Sequence, residues 1–236
     1  MSVLFNIDGI SKAYKNNNVL EDISFSVSRG DITGLIGGNG AGKTTLMKII
    51  SGIISADSGN VVYENNEIKS KIGVIIEGPC VYNDMSAFEN LKFYGRMFGD
   101  TDEEKYNKLL DMVKLKDAGS KKAGRFSLGM KQRLGVAIAL MGDIELLILD
   151  EPFNGLDAQG IIDLENILTE INKTKGITIL ISSHIIGELT KICTGYIIMD
   201  NGRICGKYTH QELLEKSGGS ENIEKVILQE MGGGVL

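Results

Sequence analysis

The chain has 236 residues, 42% of them hydrophobic, which is enough for one substantial core with or without a subdomain. Its 31 acidic and 25 basic side chains leave a net charge of −6, which argues against a dedicated nucleic-acid binder with a basic face. Thirty glycines, nearly twice the usual ~7% share, suit a turn-rich chain with close backbone contacts.

Val3–Ile10 and Val19–Val27 have strand character and flank the turn-prone Lys15-Asn16-Asn17-Asn18. Ile23, Phe25 and Val27 alternate with Ser24, Ser26 and Ser28, the period of a half-buried strand. Tyr14 stands at the end of this unit. Taken alone it reads as a packed edge tyrosine, although an exposed ring there could stack on a nucleotide base.

Ile32–Ile36 is a short apolar run of strand length, and Leu46–Ile50 continues as a helix. Between them lies Gly37-Gly38-Asn39-Gly40-Ala41-Gly42-Lys43-Thr44-Thr45. Strand, glycine loop and helix form the context in which Gly-x-x-x-x-Gly-Lys-Thr binds a nucleoside triphosphate. The glycines let bare backbone N–H groups approach phosphate oxygens, and the helix N-terminus favours the same charge. Lys43 offers a point charge to the β- and γ-phosphates, and the Thr44 hydroxyl can ligate Mg²⁺.

Gly59–Tyr63 and Lys71–Ile76 are the next strand candidates, the second ending at Glu77-Gly78-Pro79. From Ser86 the period becomes helical, with Phe88, Leu91, Tyr94 and Phe98 on one face. Thr101-Asp102-Glu103-Glu104 opens a second helix with acids in its first turn. Phe126-Ser127-Leu128-Gly129-Met130 opens a third, through about Leu140, for which Ser127 could be the N-cap. Residues 86–140 therefore read as a helical insert between two strand-rich blocks.

Leu146–Leu149 has the unbroken apolar character of a strand buried on both faces. It ends in Asp150-Glu151-Pro152, and two adjacent acids at the end of a buried strand are costly unless they meet a cation or a polar ligand. In a triphosphate site Asp150 can hold Mg²⁺ through water, and Glu151 can polarise the attacking water. Asn154-Gly155-Leu156-Asp157 turns into a helix carrying Ile161, Ile162, Leu164, Ile167, Leu168 and Ile171. Ile177–Ser182 is another buried strand, with His184 just beyond it. A lone histidine in that place is ordinarily a loop or core residue.

Tyr196–Asp200 and Arg203–Lys207 form a hairpin across Asn201-Gly202. Thr209-x-x-Glu212 is a capping box for a further helix. Ser217–Ser220 reads as a flexible linker, and Asn222–Met231 as a short terminal helix. Cys80, Cys193 and Cys205 show no metal spacing and suit free thiols in a reducing compartment. Met1–Asn6 has neither the basic region nor the long apolar stretch of a secretory signal, and no run approaches the ~20 apolar residues that span a bilayer. The expectation is a soluble cytoplasmic protein, with any membrane role coming through a partner.

Together these motifs resemble the nucleotide-binding subunit of an ATP-binding cassette (ABC) transporter, from Val3 to about Lys216. Gly37–Thr45 is similar to the Walker A loop, and Leu146–Glu151 to Walker B with its catalytic glutamate. Ser127–Gly129 is similar to the signature motif, Gly155–Asp157 to the loop that lies between subunits, and His184 to the switch histidine. Tyr14 falls where the family stacks an aromatic ring on adenine. The resemblance implies an α/β P-loop fold with a mainly parallel core sheet. An N-terminal antiparallel β-subdomain and a helical subdomain inserted at about 78–140 would complete one domain over 1–216, with a tail at 217–236.

Two departures from the family pattern matter. The signature is usually Leu-Ser-Gly-Gly-Gln, whereas this chain has Phe126-Ser127-Leu128-Gly129-Met130. After the strand Ile72–Ile76 the family has a glutamine, whereas this chain has Glu77. Glu77 and the run Ser127–Leu134 resemble the bacterial branch that exports peptide antibiotics, with lantibiotic-immunity and bacitracin-resistance exporters nearest.

The resemblance further implies an Mg²⁺-dependent ATPase working as a head-to-tail pair, homo- or heterodimeric. Each ATP would lie between one subunit's Walker A loop and the other's Ser127–Met130. Glu151 and His184 would be catalytic, and Thr44, Glu77 and Asp150 would hold the metal. Glu77 carries a full charge where glutamine offers a neutral oxygen, so a steep Mg²⁺ dependence is expected. The membrane subunit would dock around Glu77–Glu89, with Tyr82, Asn83 and Met85. Export of drugs, ions or lipids is the alternative. A soluble, non-transport ABC ATPase is a further one, against which stand the acidity and the lack of a second cassette.

Overall fold

The computed structural model describes residues 2–15 and 17–232. Among them two sheets form. The first is antiparallel, with β1 (Val3–Tyr14) between β2 (Asn17–Ser28) and β4 (Ser58–Tyr63). The alternation read from the sequence sets its register. Ile23, Phe25 and Val27 are buried, while Ser24, Ser26 and Ser28 point to the wetter face. Both N-terminal strands run further than expected, so Tyr14 is the last residue of β1 and lies half exposed. Asn16, inside the expected turn, falls outside the described residues.

The second sheet has the order β5-β6-β7-β3-β8-β9. Here β3 is Ile32–Ile36, β5 Ile72–Ile75, β6 Leu146–Leu149, β7 Thr178–Ser183, β8 Gly195–Asp200 and β9 Arg203–Thr209. Every neighbouring pair is parallel except the β8–β9 hairpin. Asn201 and Gly202 turn that hairpin with φ of 45° and 74°, as a two-residue turn of this hand requires. All four residues of β6 and all five of β3 are buried. Burying side chains of this size stabilises by about 1.5–3 kcal/mol each, which holds the strand ends in place.

Helix α1 (Lys43–Ile50) follows β3 directly. The insert between β5 and β6 carries α2 (Ala87–Met97), α3 (Glu103–Met112) and α4 (Leu128–Ala139). Ser86 and Glu89 close a capping box on α2, and Asp102 caps α3. Leu91, Tyr106, Leu109 and Leu134 join these helices to the main core. Phe98, expected on the apolar face of α2, is 65% exposed, because α2 ends at Met97 and Phe98 lies past the last helical turn.

α5 (Ala158–Lys175) and α6 (Ile186–Leu189) cover one face of the sheet. α7 (His210–Ser217), capped by Thr209 and Glu212 as expected, and α8 (Ile223–Glu230) follow β9. Ser217–Ser220, expected as a flexible linker, is instead tied down. The buried Ser217 hydroxyl bonds the carbonyls of Leu214 and Gly219, and Ile223 and Ile227 pack into the main core.

Candidate functional site

The glycine loop joins β3 to α1 at the carboxyl end of the parallel sheet, where ligands of open α/β sheets bind. Gly37 lies so close to β8 that a Cβ there would sit 2.5 Å from the Met199 carbonyl oxygen. Gly42 has φ of +97°, and its Cβ would sit 2.7 Å from Leu20. Only glycine meets both demands at position 42. The loop thereby wraps a cavity of about 220 Å³ lined by Val19, residues 39 to 45 and Glu151. Gly38, Asn39 and Gly40 form its outer rim, with Asn39 and Gly40 exposed and Ala41 buried beneath. Thr45 lies half-buried next to Thr44 at the start of α1.

Lys43 is buried, and its ammonium donates to the carbonyls of Gly37 at 2.7 Å and Gly38 at 3.1 Å. It also lies 3.1 Å from one carboxylate oxygen of Glu151. The other Glu151 oxygen faces His184 Nδ1 at 2.8 Å. Glu151, which lines the cavity, therefore bridges Lys43 and His184. Its φ of +48° is a strained backbone for a residue with a side chain, and the Ser182 hydroxyl accepts its N–H at 2.9 Å.

Asp150 is 8% exposed, and both of its oxygens are engaged. One accepts from the Thr44 hydroxyl at 2.7 Å, the other from the Ser182 hydroxyl at 2.7 Å. Ser182 is fully buried at the end of β7, beside β6. The sequence reading passed over it. Its signal was a hydroxyl at the end of an apolar strand, two residues before His184.

Glu77 stands apart from this pair. It follows β5 with φ of +62°, and its carboxylate meets the Lys48 ammonium at 2.6 Å. That contact holds Lys48 above its ordinary pKa. Lys48 sits one turn after Thr44 on α1 and was also passed over. Among the described residues no three His, Cys, Asp or Glu side chains gather into a metal cage. The adjacent Thr44 and Asp150 oxygens nonetheless suit Mg²⁺, which takes one or two protein oxygens and fills its shell with phosphate and water.

Ser127 caps α4, its hydroxyl accepting the Met130 N–H at 3.2 Å. Ser127 and Leu128 are exposed, Gly129 and Met130 half-buried. Leu128 packs on the Gly155–Asp157 turn, its tip 3.1 Å from where a Gly155 Cβ would stand. Leu156 lies against Gly129, and Asp157 caps α5 through the Gly160 N–H at 2.8 Å. The signature segment and the turn after β6 thus form one exposed ledge. Tyr14 is 49% exposed with the Lys12 ammonium 5.6 Å from its ring centre, so it is not the packed edge tyrosine that it suggests alone.

The family model described as ABC transporter matches residues 20–154. The lantibiotic transport ATP-binding protein SrtF of Streptococcus pyogenes is 40% identical over 94% of this chain and 95% of its own length. The bacitracin transport ATP-binding protein BcrA of Bacillus licheniformis is 36% identical over 92% of this chain and 73% of its own length. Among solved structures, the ADP conformation of MJ1267, an ATP-binding cassette of an ABC transporter, superposes with a TM-score of 0.82. It has 27% identity and covers 96% of this chain and 99% of that one. With the loop, the acid pair and the ledge in place, the chain belongs to the ABC transporter family as one of its ATP-binding, ATP-hydrolysing cassettes.

Proposed function

We propose that this cassette powers export of a peptide antibiotic through a membrane permease, with Mg·ATP shared between two cassettes. The carrying observation for the chemistry is the Glu151 carboxylate held between Lys43 and His184. Backbone N–H groups of Gly38–Thr45 take the phosphates, and Lys43 turns from Glu151 to the β- and γ-phosphates. Glu151, released from that ion pair, orients water for in-line attack and accepts its proton. His184 holds Glu151 now and can hydrogen-bond the γ-phosphate beside it. Tyr14 stacks on the adenine.

Thr44, Asp150 and Glu77 would hold Mg²⁺. When bound, the ion supplies charge neutralisation on the β- and γ-phosphates. A second subunit, identical or not, would bring Ser127–Met130 onto the γ-phosphate. The exposed N-terminus of α4 offers a hydroxyl, N–H groups and a helix dipole for that contact. Gly155–Asp157 would meet the facing subunit alongside.

A permease is the second partner. An apolar groove of about 450 Å³ runs along the edge strand β5 and is lined by Ile53, Ile72, Val74, Ile76, Tyr94 and Phe98, among others. Tyr82 lies beside the Tyr94 rim of this groove, 45% exposed, its ring centre 5.9 Å from that of Tyr94 and its ring edge-on to Phe93. The buried Asn90 pins that rim by accepting the Tyr82 N–H and donating to the Tyr82 and Ser86 carbonyls. No helix among the described residues is long and apolar enough to cross a membrane, so transport requires the partner. The export substrate rests on the relatives named for lantibiotic and bacitracin transport. Glu77, read from the sequence as a mark of that branch, agrees with them.

Steady-state ATP turnover tests the chemistry. Glu151→Gln should lower kcat by about 100-fold or more while ATP still binds. Near-normal turnover in that variant would remove Glu151 from the reaction. Loss of peptide-antibiotic tolerance on deleting the gene, restored by the wild type and not by Glu151→Gln, tests the substrate.

A further inference from the structure

The Lys48–Glu77 contact is not explained by stability, since an exposed ion pair contributes little to it. Its position is more telling. β5 pairs with β6 through Ile75 and Leu149, and the Asp150 N–H donates to the Ile75 carbonyl at 2.9 Å. The chain leaving β5 therefore passes beside Asp150, and Glu77 follows Ile75 by two residues at that end of the sheet. From the other side, Lys48 lies four residues after Thr44 on α1, on the same helix face. Its ammonium feels the Asp150 charge as well as that of Glu77. Glu77 and Gly78 have positive φ, +62° and +120°, where the exposed carboxylate meets Lys48.

We propose that Lys48 is a positioning residue that holds the Glu77 carboxylate off the metal position, so that the divalent ion must displace it. This rests on the reading of the site as an Mg·ATP cassette. Before the divalent ion binds, Lys48 supplies the positive charge beside Glu77. Glu77 then carries no uncompensated charge beside incoming phosphates. Once Mg²⁺ arrives with ATP, the carboxylate exchanges a lysine partner for the metal. The exchange ties the movement of the chain after β5, at the rim of the apolar groove, to the presence of metal. A neutral glutamine would have no need of such a partner, so the lysine and the glutamate work as a pair.

The test is Mn²⁺ binding to the full-length protein with a non-hydrolysable ATP analogue, followed by electron paramagnetic resonance. The proteins are wild type, Lys48→Met, Lys48→Arg, Glu77→Gln and the Lys48→Met/Glu77→Gln double variant. Lys48→Met should bind Mn²⁺ about 3- to 5-fold more tightly than wild type, the scale of one partly exposed ion pair. Lys48→Arg should stay close to wild type. The gain should vanish in the Glu77→Gln background, because the lysine then holds nothing back. An unchanged or weaker Mn²⁺ affinity in Lys48→Met overturns the proposal. So does a gain of equal size in both backgrounds, which would mark general repulsion between the lysine and the metal. Wild-type protein that takes up no Mn·nucleotide at all would instead overturn the cassette reading beneath it.

Discussion

Asp150 and Glu77 leave neighbouring strands at the same end of one sheet, yet they are held in opposite ways. β6 is an interior strand, flanked by β5 and β7, so its end is covered and Asp150 is 8% exposed with two hydroxyl donors. β5 is the edge strand, so its end has no neighbour on one side. The Glu77 side chain is 69% exposed with a single lysine partner. Burial makes the first carboxylate part of the scaffold, since the buried Ser182 hydroxyl and the half-buried Thr44 hydroxyl both depend on it. Exposure leaves the second free to change partner at small cost. In the proposed Mg·ATP site the same sheet would supply a fixed ligand from its interior and an exchangeable one from its edge.

The comparison breaks most visibly under paired neutral substitutions. Asp150→Asn should destabilise the nucleotide-free protein by about 2 kcal/mol, because the amide cannot accept both the Thr44 and Ser182 hydroxyls through oxygens. For a chain of this size that lowers Tm by about 4–8 °C. Glu77→Gln should move stability by no more than about 0.5 kcal/mol, as at other exposed positions. Thermal melts showing equal losses in the two variants would erase the distinction between fixed and exchangeable ligand.

A third carboxylate sharpens it with a smaller effect. Glu188, on the short helix after His184, is buried, and one of its oxygens has no hydrogen-bond partner among the described residues. Burial raises its pKa, and the neighbouring Glu165 adds to the rise. The folded protein therefore holds this proton above the ordinary carboxylate range, where the unfolded chain has released it. Stability contributed by the protonated form is present below the unfolded value near 4.5 and is lost as pH rises through the raised folded value. Glu188→Gln removes that loss. Its Tm relative to wild type should be higher at pH 8 than at pH 5. A difference that stays flat or shrinks with pH would contradict the assignment.

The sequence carried the fixed half of the site well, for physical reasons that can be named. A glycine loop between an apolar strand and a helix has few other uses, and two acids ending a fully apolar strand demand a cation. Alternation in β2, the Asn201-Gly202 turn and the two capping boxes are local signals, and they appear where local chemistry placed them. Groups met only through strand order were harder to find. Ser182 reaches Asp150 because β7 lies beside β6, 32 residues away along the chain. Lys48 reaches Glu77 across 29 residues, from a helix that the sequence marked only by its apolar run. Phe98 failed as a core residue because helical period does not say where the helix stops. Ser217–Ser220 looked like a linker because its two glycines conceal a serine that bonds its own turn.

Sedimentation velocity on Glu151→Gln measures most directly whether a second cassette completes the site. With Mg·ATP the variant should sediment as a dimer, and with Mg·ADP as a monomer. Adding Ser127→Arg should return it to a monomer that still binds ATP at the Lys43 loop. A protein that stays monomeric when saturated with Mg·ATP, or a dimer indifferent to Ser127→Arg, would contradict the shared-nucleotide account.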